Sequence, residues 1–346
     1  MSDAPLAARV ALTGGADFWH THAVAEIDLP AVMVTDGPHG VRKQLGDTDH
    51  VGLNASAPAT CFPPAVGLAS TWNPALLSEV GAALGEECRA LGVGVLLGPG
   101  VNIKRSPLCG RNFEYFAEDP YLTGELAVGL VKGIQSQGIG TSLKHFAANN
   151  QETDRMRRDS QVDARTLREI YLRAFGKVVI SAQPWTVMCS YNKLNGVHAS
   201  ENHFLLTEVL RDEWGFEGFV VSDWGAVQDR VRSLKAGLDL EMPAHPEHEA
   251  GVTQALASGE LHEATVNLAA SRVERVLRRA LASLADAPTE FDVDAHHALA
   301  RRAAEQCIVL LDNDGVLPLA PETRVGVVGE FARTPRYQGA GSSRVN

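Results

Sequence analysis

The chain has 346 residues, 45% of them hydrophobic and 21% charged. That is the balance of a globular protein, and the length suits one large α/β barrel of roughly 250 residues with a further piece attached. A net charge of −11 without any basic cluster or aromatic–basic interleaving excludes nucleic acid as a partner.

The five cysteines (Cys61, Cys88, Cys109, Cys189 and Cys307) are scattered and lack Cys-x-x-Cys spacing. Neither a disulfide framework nor a zinc site is expected, and no metal is assigned. The first residues have no basic region followed by an apolar core, and no stretch is apolar enough to span a bilayer. A cytoplasmic protein with no membrane contact is expected.

Strand-like and helix-like stretches alternate, the mark of βα repetition. Residues 31–35 form a short apolar run that ends in Asp36-Gly37-Pro38-His39-Gly40. Asn73 and Pro74 then open a helix to about residue 91, with Asn as cap and Pro in the first turn. A strand is predicted over 94–97, then a long polar loop with Arg111 and Glu114, then a helix over 121–136. The strand 139–143 runs into Lys144 and His145, and a second polar loop spans 149–159. Asp163 caps a helix over 164–180. The strand 185–189 ends in Ser190-Tyr191-Asn192, and a helix covers 204–214.

The run Phe219-Val220-Val221 breaks at once into Ser222-Asp223-Trp224-Gly225. It reads as a buried strand with a carboxylate at its C-terminal tip. From the local pattern alone, Asp223 serves equally well as a helix cap or as a catalyst. A further strand is predicted over 236–240 and a long helix over 261–284.

Most of these strands end in polar or ionisable residues. In a parallel barrel all such ends lie on one rim, so Asp36, Arg111, Lys144, His145, Tyr191 and Asp223 would converge. The predicted fold is a TIM-like (β/α)8 barrel, with irregularities because only about seven strand candidates are found. A doubly wound open sheet is the alternative, but no G-x-G-x-x-G or Walker pattern supports it.

The character changes near residue 285. Residues 1–284 are assigned to the barrel and 285–300 to a linker and the start of a helix. Residues 301–346 are read as the truncated beginning of an α/β sandwich domain, with a helix over 296–311, a turn at Asn313-Asp314-Gly315 and a strand over 324–329. His20, His22, His296 and His297 read as surface or helix residues and are assigned no role.

Six stretches, in order, resemble glycoside hydrolase family 3 on its β-glucosidase side. They are Thr-Asp-Gly-Pro-His-Gly-Val-Arg at 35–42, Gly-Pro-Gly-Val-Asn-Ile-Lys-Arg-Ser-Pro at 98–107, and Gly-Arg-Asn-Phe-Glu at 110–114 with Glu-Asp-Pro-Tyr at 118–121. Lys-His-Phe-Ala-Ala-Asn-Asn-Gln-Glu at 144–152, Met-Cys-Ser-Tyr-Asn at 188–192 and Gly-Phe-Val-Val-Ser-Asp-Trp at 218–224 complete the set. The resemblance implies a retaining glycosidase that releases terminal β-D-glucosyl residues, with Asp223 as nucleophile and no cofactor. Its partners would be small β-glucosides or short oligosaccharides.

By the same resemblance, Asp36 accepts from distal sugar hydroxyls with Arg42 nearby, and Arg111, Lys144, His145 and Arg155 donate to hydroxyls. Tyr191 sits beside the nucleophile, Trp224 stacks on the sugar, and Ser342 borders the pocket. Plainer readings exist for some of these. Asp36 could be a turn residue, Lys144 a Schiff-base lysine of an aldolase-type enzyme, and Trp224 a core residue.

Two departures from the family stand out. A sister group uses a His/Asp acid/base pair in a Lys-His-Phe-Pro-Gly-His-Gly loop, and this chain has no second histidine there. The β-glucosidase group takes its acid/base Glu from the second domain, beyond the residues present here. Glu114, Glu118, Glu152 and Glu241 lie on barrel loops, but none matches that position. The alternative reading is therefore a truncated, non-catalytic sugar-binding barrel.

Overall fold

The computed structural model describes residues 4–46, 48, 54–339 and 341–345. Five parallel strands form one curled sheet in chain order: β1 Met33–Asp36, β2 Val93–Leu97, β3 Gly140–Phe146, β4 Thr186–Cys189 and β5 Phe219–Ser222. Every strand residue except Asp36 is buried. That follows from parallel pairing, which places crossover helices over one face and the barrel interior over the other.

The crossovers begin where the sequence predicts. Asn73 accepts a hydrogen bond from Leu76 N and opens helix Pro74–Ala90. Asp119 does the same for Pro120–Ser136 through Leu122 N. Asp163 caps Ala164–Thr166, and the helix continues through a π-helical turn into Arg173–Ala182. Each side chain satisfies a backbone N–H that the first helical turn leaves without a partner. The helices Pro74–Ala90 and Pro120–Ser136 cross at glycines. A Cβ on Gly133 would lie 2.2 Å from Ser78 O, so the two backbones touch there.

The predicted strand over 236–240 is not formed. Helix Arg230–Ala236 occupies its start and ends at Gly237, in the left-handed conformation that terminates helices. The stretch that follows pairs on each side through single bridges only. Leu240 pairs with Val221, Gly14 with Glu241, and His20 with Met33. Gly15 N donates to Glu241 O at 2.9 Å, and Val34 N donates to Trp19 O at 2.8 Å. These bridges join β5 back to β1 through the N-terminal segment, so the side of the barrel opposite the sheet is closed residue by residue.

A small separate sheet joins Asp159–Ser160 to the hairpin Lys193–Leu194/Val197–His198. It ties the loop after β3 to the loop after β4.

Beyond the barrel, Asp292 caps helix Val293–Cys307, which stops four residues short of the predicted end. The turn at 313–315 forms, with Asn313 Oδ1 accepting from Gly315 N and Leu317 N. The predicted strand over 324–329 does not form. Val328 is 97% exposed, and without a neighbouring strand its backbone groups have no ladder to join. The chain then returns to the barrel rim, where Val345 is fully buried.

Candidate active site

A cavity of about 210 Å³ opens at the C-terminal rim of the sheet, in scale with one small ring rather than a drug-sized ligand. Asp36 reaches it from the end of β1, Lys144 and His145 from β3, Met188 and Tyr191 from β4 and its loop, and Asp223 with Trp224 from just beyond β5. The polar loops bring Arg111, Phe113 and Arg155, and the returning C-terminal segment brings Gly341 and Ser342. All the predicted positions except Arg42 meet on this wall.

Asp223 is buried. Its Oδ1 accepts from Trp224 N at 2.9 Å, and its Oδ2 has no hydrogen-bond partner. The next helix begins at Arg230 and is capped by Asp229, so Asp223 is not a helix cap. Burial raises the Asp223 carboxyl above its ordinary value. Arg111, Lys144, the Trp224 amide and Arg155 oppose this without cancelling it. The cations expected from the sequence are present, but desolvation outweighs them.

Around Asp223 the charges interlock. Arg111 donates through Nε to Glu114. Lys144 Nζ lies 3.7 Å from both Asp36 Oδ1 and Glu114 Oε2. Glu114 is fully buried; burial would raise it, but Arg111 and Lys144 hold it below the ordinary value. It is thus a charged support for two cavity cations rather than a proton donor. Glu152 is paired with Arg155 at 3.2 Å. Glu241 lies on the far side of β5, paired with His248 at 2.6 Å.

Arg42 lies beside Asp36 but off the cavity wall. Its backbone N donates to Asp36 O at 2.9 Å, which turns residues 36–42 into a tight loop. The side chain is then fully buried beneath Asp36, with Nη1 3.3 Å from Asp36 Oδ2. It orients that carboxylate from behind and does not line the cavity.

His145 is buried between Arg111 Nη2, 2.8 Å from Nε2, and the Tyr115 hydroxyl, 3.1 Å from Nδ1. Burial, then Arg111, Lys144 and Arg155, push it well below the ordinary histidine value, so the ring is neutral. A register shift between Leu143 and Phe146 in the β3–β4 pairing re-aims this end of the strand. The Asn102 side chain clasps the His145 backbone on both its N–H and C=O.

The aromatic wall has a member that no local motif marks. Trp224 packs on Trp19 with ring centroids 5.4 Å apart, and its Nε1 donates to Phe18 O at 2.7 Å. Arg155 lies over the Tyr191 ring at 4.5 Å, and the Tyr191 hydroxyl donates to Trp224 O at 3.2 Å. Phe113 and Met188 were legible only as members of quoted motifs. Trp19 arrives from the closing N-terminal segment and carried no signal. Among the described residues no three His, Cys, Asp or Glu side chains cluster in a way that could hold a metal ion. No helix among them is long and apolar enough to cross a membrane.

A family model described as the glycosyl hydrolase family 3 N terminal domain matches residues 19–276. The chain is 56% identical over 339 residues to thermostable beta-glucosidase B of Acetivibrio thermocellus, covering 97% of this chain and 45% of the relative. It is 52% identical over 359 residues to an exo-alpha-(1->6)-L-arabinopyranosidase of Bifidobacterium longum, covering 100% of this chain and 47% of the relative. The crystal structure of a GH3 beta-glucosidase from Bifidobacterium adolescentis superposes with a TM-score of 0.92 at 52% identity, over 98% of this chain and 48% of that one. Beta-glucosidase 3B from Thermotoga neapolitana, solved in complex with α-D-glucose, gives 0.87 at 43% identity, over 92% and 48%. The chain spans about half the length of the curated relatives it matches.

Proposed function

The chain belongs to glycosyl hydrolase family 3, and from that premise we propose that its cavity takes the terminal sugar of a β-D-glucoside, with Asp223 as the nucleophile of a retaining hydrolysis. The observation that carries this reading is Asp223 Oδ2, a buried carboxylate oxygen without a hydrogen-bond partner in a small polar cavity. In the first step Oδ2 bonds to the anomeric carbon as the bond to the leaving oxygen breaks, and that oxygen takes a proton. In the second step water cleaves the glycosyl ester. Asp36, Arg111, Lys144 and Arg155 supply the directional hydrogen bonds that select a hydroxylated ring, and Trp19 and Trp224 cover its C–H face.

The reaction needs a second carboxyl group about 5–5.5 Å from the nucleophile. Among the described residues Asp36 is the other carboxylate on the cavity wall, and it is held by Arg42 and Lys144. We therefore take the general acid to come from outside this wall. General acid help contributes about 10²–10⁴-fold, so glucosides with poor leaving groups would be cleaved feebly by these residues alone.

The test is intact mass after incubation with a 2-deoxy-2-fluoro-β-glucoside bearing a dinitrophenyl leaving group, which needs little protonation. An adduct mapped to Asp223 supports the reading. Its absence on a folded chain, with an adduct from the matching α-L-arabinopyranoside, would move the substrate to that sugar, which also presents an equatorial leaving group.

A further inference from the structure

The two neighbours of the His145 ring are not equivalent. Arg111 has N–H donors and no lone pair, so at 2.8 Å from Nε2 it donates and Nε2 accepts. A neutral imidazole has one N–H, which must then sit on Nδ1 and point at the Tyr115 oxygen 3.1 Å away. We propose that His145 is locked in the Nδ1–H form by Tyr115 and Arg111, so that it orients Arg111 as an acceptor rather than donating to a sugar hydroxyl.

The surroundings enforce this arrangement. Gly100 makes backbone bridges to both Tyr115 and Lys144, which fixes the tyrosine against the end of β3. A Cβ on Gly100 would meet the Tyr115 ring at 2.9 Å, so only glycine lets the ring approach this closely. Tyr115 is fully buried and stands edge-on to His145, at 6.0 Å and 74°. The Asn102 clasp prevents the His145 backbone from turning away.

Arg111 is thereby held from two sides, by Glu114 at Nε and His145 at Nη2. It lines the cavity already held in place. Asp223 Oδ2 lies 3.7 Å from Nε2, and two acceptors meet there. Tyr115 and His145 are thus positioning residues. Their bearing on sugar binding rests on the glycosidase reading, but the proton's location does not, and the test reads the proton.

The experiment is long-range ¹⁵N–¹H NMR of the full chain labelled at histidine, with His145→Gln assigning the ring among the twelve histidines. We expect protonated Nδ1 and unprotonated Nε2, unchanged as pH passes through 6.5, the ordinary histidine value. A proton on Nε2, or a second proton gained near that pH, overturns the proposal. In Tyr115→Phe the Nδ1 proton loses its acceptor, moves upfield and exchanges with water about tenfold faster. An unmoved Nδ1 proton in that variant removes Tyr115 from the lock. Should Tyr115→Phe not fold, the downfield position of the wild-type Nδ1 proton decides the contact.

Discussion

Asp223 Oδ2 and His145 Nε2 face each other at 3.7 Å without a hydrogen bond between them. The neutral ring turns its lone pair to Arg111. The carboxylate therefore has cations nearby but no donor from His145, and burial keeps its affinity for protons raised. The proposed nucleophile must be ionised to react, so covalent labelling of Asp223 should fall on acidification with a midpoint above 3.8, the ordinary aspartate value. A raised carboxyl binds its proton more tightly in the folded chain than in the unfolded one. The same group thus costs stability at neutral pH and loses that cost as pH falls. Labelling rates across the acid range check this. A midpoint at or below 3.8 would mean that the cations outweigh desolvation.

Glu114→Gln should lower stability by about 3–5 kcal/mol, because it leaves the buried Lys144 with one of its two carboxylate partners and takes from the half-buried Arg111 the carboxylate it is bonded to. The pH sign is opposite to that of Asp223. The depressed Glu114 value stabilises the fold above the ordinary 4.5, and that support is lost as pH falls through the folded value. Urea unfolding of the variant is the measurement, and a loss under about 1 kcal/mol would show that water reaches this cluster.

Gly133→Ala adds one methyl where two helix backbones touch, 2.2 Å from Ser78 O. Alanine favours helix by about 1 kcal/mol, yet overpacking costs about 1–3 kcal/mol, and no side chain here can move aside. Net destabilisation is expected in thermal unfolding. A raised melting temperature would show that the helices slide apart cheaply.

His296 clasps helix Val293–Cys307 to the barrel. Its Nδ1 lies 2.8 Å from Glu87 Oε1 and its Nε2 lies 3.0 Å from Glu86 Oε2. Glu87 raises the histidine above its ordinary 6.5, with burial opposing and Glu86 adding to the rise. The clasp therefore contributes fully below 6.5 and is lost as pH climbs through the raised value. Hydrogen-exchange protection in this helix, taken relative to the intrinsic rate at each pH, should fall on that climb in the wild type and stay flat in His296→Gln.

The rim was readable in the sequence because strands ending in Asp36, Lys144 and Asp223 place ionisable groups where an apolar run stops. The caps Asn73 and Asp163 were readable because their side chains act on the next turn. What escaped depends on distant partners. His296 read as a surface or helix residue; it is in a helix, but Glu86 and Glu87, brought beside it by the fold, make it a buried clasp. Arg42 sat in the right motif, but its tight loop turned it behind Asp36. Residues 324–329 have strand composition and, among the described residues, no strand beside them. Leu240 and Glu241 join the wall through one-residue bridges, which leave no periodicity to read.

Those bridges set an order of assembly during synthesis. Gly14 and Glu241 meet across the seam, yet more than two hundred residues separate them. At about 5–20 residues per second, Gly14 waits roughly 10–50 s on the ribosome for its partner. Until then β5 has an open edge, and Trp19, which comes from the same N-terminal segment as the seam, has no finished cavity to line. The nascent chain therefore gains its cavity late, in the same event that shuts the barrel.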